Sequence, residues 1–177
     1  MVFTAADARR NVGEMTLEEV YDLHARSMFR YACALLNCPE DAEDAVQEVF
    51  VRLAREHKRL ARVKVLKPYL MTATRNAAYS ILRSRQRGQA LHEAVCSEPL
   101  IPRERSFDRK MLESESMREA FASLPIEQRE VLLLKVFEEM TFREIAETTR
   151  VPLATVASRY RYGLDRLRHA LEGEDNE

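Results

Sequence analysis

The stretch from Thr141 to Tyr162 constrains the fold of this chain more than any other part of it. It runs Thr141-Phe-Arg-Glu-Ile-Ala146, passes through Arg150-Val-Pro152 and resumes as Leu153-Ala-Thr-Val-Ala-Ser-Arg-Tyr160. Thr141 and Glu144 have capping-box spacing, so hydroxyl and carboxylate can each satisfy an amide that a helix start leaves unpaired. The small Ala146 lets a second helix cross closely. Val151-Pro152 ends the first helix and opens the next, because proline lacks an amide hydrogen and presets φ for a helical first turn. Two short helices joined by a tight turn make a helix-turn-helix, whose second helix suits the DNA major groove. Arg150 stands where such a turn usually carries glycine, which adopts positive φ freely.

The remaining sequence is helical by the same criteria. Only four glycines occur in 177 residues, and long stretches are rich in Ala, Leu, Glu and Arg, the composition of an all-α protein. A 46% hydrophobic content supplies cores for two small helical domains. The expected organisation is a first domain over 12–90, a flexible linker over 91–114 marked by Pro99 and Pro102, a second domain over 115–171, and an acidic tail over 172–177 expected to be disordered.

In the first domain, Thr16 and Glu19 form another capping box. Leu17, Val20, Tyr21, His24, Met28, Tyr31 and Leu35 follow at helical spacing as a core stripe, until Asn37 and Pro39 stop the helix. The next helix begins among acids that favour the positive end of a helix dipole. It turns Ala45, Val46, Val49, Phe50 and Leu53 inward, and Asp44, Gln47, Glu48, Val51 and Arg55 outward. A third helix, starting at Pro68 and running to about Arg85, buries Leu70, Ala73, Ala77 and Ile81. On its opposite side are Thr72, Arg75, Asn76, Tyr79 and Arg83. The second domain begins near Glu115, breaks at Leu124-Pro125 and continues from Ile126 to Phe137, with Glu127 and Glu130 read as helix-start acids.

A formal net charge of −1 conceals strong segregation. Between Arg52 and Arg87 there are eleven Lys/Arg and one acid, Glu56, directly after an acidic block containing Glu40, Asp41, Glu43, Asp44 and Glu48. Such polarity points to two different partners on adjacent surfaces. Arg and Lys attract phosphates, Tyr79 can stack on an unpaired base and Asn76 can bond a base edge, a set suited to opened DNA. Asp44, Gln47 and Glu48 suit a basic protein. On the last helix Val156, Tyr160, Leu164 and Leu167 face inward, while Ala154, Thr155, Ser158, Arg161 and Tyr162 face outward with Arg159 at the edge. Small residues admit the helix to a groove, hydroxyls hold phosphate and arginine reads guanine. A merely solvated helix face is the plain alternative in each case.

Cys33, Cys38 and Cys96 are odd in number and fit inert thiols in a reducing compartment. His24, His57, His92 and His169 lack ligand spacing, so neither metal nor cofactor is expected. No apolar run is long enough for a membrane span, and Met1 to Met15 lacks a signal peptide's apolar stretch. A cytoplasmic, soluble protein is expected. No nucleophile–base pair or phosphate-cradling glycine loop is visible, so an enzyme is the weakest reading.

Asp41-Ala-Glu-Asp-Ala-Val-Gln-Glu-Val-Phe-Val-Arg-Leu53, then Tyr69-Leu and Ala73-Thr-Arg-Asn76 with Arg83, Arg85 and Arg87, resemble region 2 of extracytoplasmic-function sigma factors. Leu124-Pro-Ile-Glu-Gln-Arg-Glu-Val-Leu132, Thr141-Phe-Arg-Glu-Ile-Ala146 and Thr155-Val-Ala-Ser-Arg159 resemble region 4. The resemblance implies a non-catalytic sigma subunit, monomeric when free, whose partners are core RNA polymerase (the β′ coiled coil and the β subunit), promoter DNA and an anti-sigma factor. It implies that Asp44, Gln47 and Glu48 dock on the β′ coiled coil. Thr72, Arg75, Asn76, Tyr79 and Arg83 would recognise and open the minus-10 element, and Thr155, Ser158, Arg159 and Arg161 would read the minus-35 element. Ser80, Ala157 and Arg150 stand where the family often has Asp, Lys and Gly. Two other readings compete: a sigma-like decoy that titrates an anti-sigma factor, and a stand-alone dimeric helix-turn-helix regulator. The decoy would lack a DNA-reading face or carry a fused receiver domain, and neither is apparent. The basic face of the first domain counts against the regulator.

Overall fold

Helix α1 (Leu17–Leu36) starts where Thr16 Oγ1 accepts from the Glu19 amide at 3.2 Å while the Thr16 amide donates to Glu19 Oε2 at 2.8 Å. It stops at Asn37, which turns left-handed at φ 52° and donates its amide to the Cys33 carbonyl at 2.8 Å. Asparagine is among the few non-glycine residues that tolerate this conformation. Pro39 then opens α2 (Pro39–Arg55) at the position where a missing amide costs nothing. The third helix, α3 (Leu66–Arg87), begins two residues before Pro68, earlier than expected. A proline within the first turn interrupts no helical hydrogen bond. The computed structural model describes residues 15–56, 63, 65–87 and 115–174, and every regular element among them is helical. The expected linker lies outside the described residues.

The three helices of the first domain pack pairwise. Val20, Met28, Tyr31 and Leu35 of α1 meet Ala45, Val49 and Leu53 of α2 and Leu70, Met71 and Ala77 of α3 in a buried core. Each fully buried Leu, Val or Met stabilises such a core by about 1.5–3 kcal/mol before entropy is counted. The core stripe of α1 is narrower than expected: Tyr21 is 55% exposed, with its ring centroid 5.0 Å from that of Phe50. One residue along from Val20, it is rotated by about 100° and leaves the seam.

The second domain contains α4 (Glu115–Ser123), α5 (Ile126–Leu132), α6 (Phe142–Thr149) and α7 (Leu153–Glu174). The break before α5 falls at Leu124-Pro125, as expected. Helix α5 runs into a π-helical turn, Leu133–Phe137, and Glu139 then takes a left-handed φ of 53°. Phe121, Leu124, Val131, Leu132, Leu134, Ile145, Val156 and Leu167 form the core. Helix α7 continues to Glu174, further into the acidic tail than expected.

The approach of α5 to α7 depends on Gly163, where an added Cβ would lie 2.8 Å from Leu132 Cδ1 and 3.2 Å from its Cγ. Across the domain boundary α1 lies against α5 and the π-helical turn, and α3 lies against α6.

Candidate nucleic-acid and protein interfaces

The capping box of α6 is complete: Thr141 Oγ1 accepts from the Glu144 amide at 3.2 Å, and the Thr141 amide donates to Glu144 Oε2 at 2.7 Å. The helix ends at Arg150, which adopts φ 57°, ψ 39°. The turn is therefore the one a glycine would make, built with an arginine at the modest cost of a left-handed L-residue. Val151 donates its amide to the Ala146 carbonyl at 3.2 Å, and the amides of Thr155 and Val156 bond the Pro152 carbonyl at 2.9 and 3.1 Å. This turn fixes how α7 is presented.

On α7, Val156 and Leu167 are buried and Tyr160 and Leu164 half-buried, so the inward stripe is as expected. Ala154, Arg161 and Tyr162 are exposed, and Thr155, Ser158 and Arg159 half-buried. Ser158 Oγ donates to the Thr155 carbonyl at 3.0 Å, and the Arg161 guanidinium lies 5.0 Å from the Tyr162 ring centroid. The outer face of α7 thus offers cations, hydroxyls and small residues at its N-terminal end. These groups can bond phosphates and base edges in a groove wide enough for a helix.

On α2, Asp44, Gln47 and Glu48 are all exposed beside an exposed Val51. Spacings of three and four residues place them on one face. A stripe of carboxylate and amide groups around an apolar residue matches a basic protein surface better than an anionic one.

The face of α3 is only partly open. Asn76 and Arg83 are exposed, while Thr72 is half-buried and donates its hydroxyl to the Pro68 carbonyl at 2.8 Å. Arg75 and Tyr79 are half-buried against each other, the guanidinium 4.3 Å from the ring centroid. Arg75 Nε also donates to Glu130 Oε1 of the second domain at 2.8 Å. Arg85 turns inward to pair with Asp41 and to donate to the Leu36 carbonyl at 3.4 Å. It is thereby directed into its own domain.

Glu130 is 1% exposed, which overturns its reading as a helix-start acid. Its Oε1 accepts both Arg75 and the Tyr31 hydroxyl, the latter at 2.6 Å. Glu138, 2% exposed, pairs with Arg30 and accepts from Lys67 Nζ at 2.9 Å on Oε2 and at 2.7 Å on its carbonyl oxygen. Arg129 donates across the boundary to the Ala34 carbonyl at 3.2 Å. A signal for these acids existed: Ile126, Glu130, Leu134 and Glu138 recur every four residues, so two carboxylates lie on an apolar stripe. Charges placed there need buried partners.

Burial, then the Glu130 carboxylate, holds the Tyr31 hydroxyl well above its ordinary range, so it remains a donor. Burial acts to lower Arg75, but the charge and hydrogen bond of Glu130, together with Tyr31 and Tyr79, outweigh it and hold the guanidinium above its ordinary value. Tyr79 is raised by burial and then by Glu130. His24 is lowered by burial and by Lys67, against an opposing effect of Glu138. Burial pushes the Cys33 thiol up to about 12, which keeps it protonated. Among the described residues no group of His, Cys, Asp or Glu is arranged to hold a metal ion, and no helix is long and apolar enough to cross a membrane.

Comparison with known proteins matches Sigma-70 region 2 to residues 20–88 and Sigma-70 region 4 to residues 114–167. The ECF RNA polymerase sigma factor SigE of Mycolicibacterium smegmatis is 30% identical over 165 residues, covering 90% of this chain and 63% of that protein. The chain therefore spans just under two thirds of that relative's length. SigX of Bacillus subtilis, also an ECF RNA polymerase sigma factor, is 24% identical over 170 residues, covering 90% of this chain and 85% of that protein. Among solved structures, the sigma factor RpoE in complex with the anti-sigma factor NepR, from Bartonella quintana, superimposes with a TM-score of 0.74 at 22% identity. The superposition covers 88% of this chain and 96% of that one.

Proposed function

Because the chain belongs to the extracytoplasmic-function sigma factors, we propose that it binds core RNA polymerase through Asp44, Gln47 and Glu48 and directs it to promoters. In this reading α3 recognises and opens the minus-10 element with Thr72, Arg75, Asn76, Tyr79 and Arg83, and α7 reads the minus-35 element with Thr155, Ser158, Arg159 and Arg161. The observation that carries it is the presence, in one chain and in region 2 to region 4 order, of an exposed acidic stripe on α2 and an open cationic face on a helix-turn-helix. The protein performs no chemistry of its own in this role. It supplies specificity, and the polymerase supplies catalysis.

Charge supports a division of labour. A chain with net charge −1 gains little from general phosphate attraction, so specific DNA binding depends on the polymerase. The anti-sigma factor NepR bound to the structural relative RpoE supports a protein inhibitor of the same class here.

Co-elution with core RNA polymerase on a sizing column tests the reading. Wild type should co-elute, and Asp44→Ala/Gln47→Ala should not. Asn76→Ala should still co-elute but fail to open promoter DNA, detected by permanganate reactivity of unpaired thymines. Wild-type behaviour from both variants would show that these faces are misassigned.

A further inference from the structure

We infer that the cleft between the start of α3 and one face of α6 is a binding site for a small organic ammonium ion with an apolar body. The cleft has a volume of about 330 Å³, at the small end of the range that ligand sites occupy. One wall is mainly apolar and contains Val65, Pro68 and Tyr69, from the segment that leads into α3. The other is polar and contains Glu144, Glu147 and Thr148 of α6, at spacings of three and four residues that put them on one helix face. Val65 and Glu147 are exposed and lie at the mouth, whereas Thr148 is 1% exposed.

Thr148 singles this cleft out. Thr74 and Thr149, the other buried threonines among the described residues, each return the hydroxyl to the carbonyl four residues back, at 2.9 and 2.7 Å. Thr72, on the opposite wall, does so at 2.8 Å. Thr148 Oγ1 has no hydrogen-bond partner. A buried hydroxyl left in this way costs stability until something bonds it, and an occupant of the cleft can do so.

Charge decides the class of occupant. Glu144 Oε2 is engaged by the capping box, but among the described residues Glu147 has no ion-pair partner. Two carboxylates one turn apart repel anions and attract a cation. Among the described residues no group of three His, Cys, Asp or Glu is arranged to hold a metal ion, so an organic cation fits better than a metal. An alkylammonium group has three N–H donors, which match the two carboxylates and the Thr148 hydroxyl oxygen. Its apolar body would lie along Val65, Pro68 and the Tyr69 ring, where burial supplies the rest of the affinity. Both walls are needed, so the site exists where α3 lies against α6.

The test uses the full chain without polymerase, with phenethylammonium as the probe and amide chemical shifts of the isotope-labelled protein as the readout. Saturable shifts should centre on Val65, Tyr69, Glu147 and Thr148, with a dissociation constant on the order of 1 mM for a probe this small. Phenethyl alcohol, the neutral analogue, and phenylpropanoate, the anionic one, should bind about fivefold more weakly. Glu147→Gln and Thr148→Val should each weaken binding about threefold, and Glu147→Gln should also narrow the preference for the ammonium over the alcohol. Amide spectra unchanged away from the cleft show that both variants fold. Glu172→Gln, at an exposed site on α7, controls for net charge and should bind like wild type. An absence of saturable shifts at probe concentrations well above the expected constant would overturn the site. Equal binding of the alcohol would overturn the ammonium class, and wild-type binding by both variants would overturn the placement on α6.

Discussion

Arg75 and Tyr31, on two helices of the first domain, converge on a single oxygen, Glu130 Oε1, at 2.8 and 2.6 Å. The tyrosine is fully buried and the arginine half-buried, so the two donors contribute differently. Tyr31→Phe keeps the ring in the core and deletes one bond to a buried carboxylate. It should destabilise the protein by about 1–2 kcal/mol, read as a lower urea midpoint with an unchanged slope.

His24 lies near Lys67 and Glu138, and its pKa is lowered mainly by burial and secondarily by Lys67. The unfolded state therefore takes up a proton more readily than the folded state. The resulting stability is fully present above the unfolded value of about 6.5 and is lost as pH falls through the lower folded value. The thermal midpoint of the wild type should fall more steeply with acidification below about pH 6.5 than that of His24→Gln. Parallel curves would remove His24 from the account.

Gly163 leaves no room for a side chain, since even a Cβ meets Leu132 Cδ1 at 2.8 Å. Leu132 is 1% exposed and has little space to yield. Gly163→Val should cost about 2 kcal/mol by overpacking the α5–α7 contact. The measurement is equilibrium unfolding, accompanied by minus-35 duplex binding of the polymerase complex, which should weaken as α7 shifts.

Arg150 holds a left-handed conformation at φ 57° and is exposed. Arg150→Gly removes the steric cost of that backbone but enlarges the freedom of the unfolded chain. The two effects partly offset, and a net stabilisation of about 0.5–1 kcal/mol is expected. A loss of stability in urea titration would show that the arginine side chain contributes more than its backbone costs.

Much of this was legible in the sequence because the signals are local. Thr16/Glu19 and Thr141/Glu144 announce helix starts by their spacing, and Asn37, Pro39 and Pro152 announce breaks. The periodicity of α2 sorted Ala45, Val46, Val49, Phe50 and Leu53 from Asp44, Gln47 and Glu48 without error. Tyr21 was misplaced because a stripe of apolar residues does not state its own width. That width depends on how many neighbouring helices cover it. The helix beginning before Pro68 and the one running on to Glu174 are boundary effects, where weak local preferences are settled by packing.

The sequence by itself determined the all-α class, the two helical units, the helix-turn-helix and the helix faces on which the residues proposed for binding stand. Capping and periodicity act over one or two turns of chain, so their consequences can be read within a short window. Only the tertiary structure decided that Glu130 meets Arg75 and Tyr31, that Glu138 meets Arg30 and Lys67, and that half of the α3 face is covered. Those pairs are separated by 55 to 108 residues, apart from the shorter reach of the helices themselves, and are chosen by how two finished domains bury charge against one another. A buried carboxylate on an apolar stripe demands a cation, but the demand does not say which one.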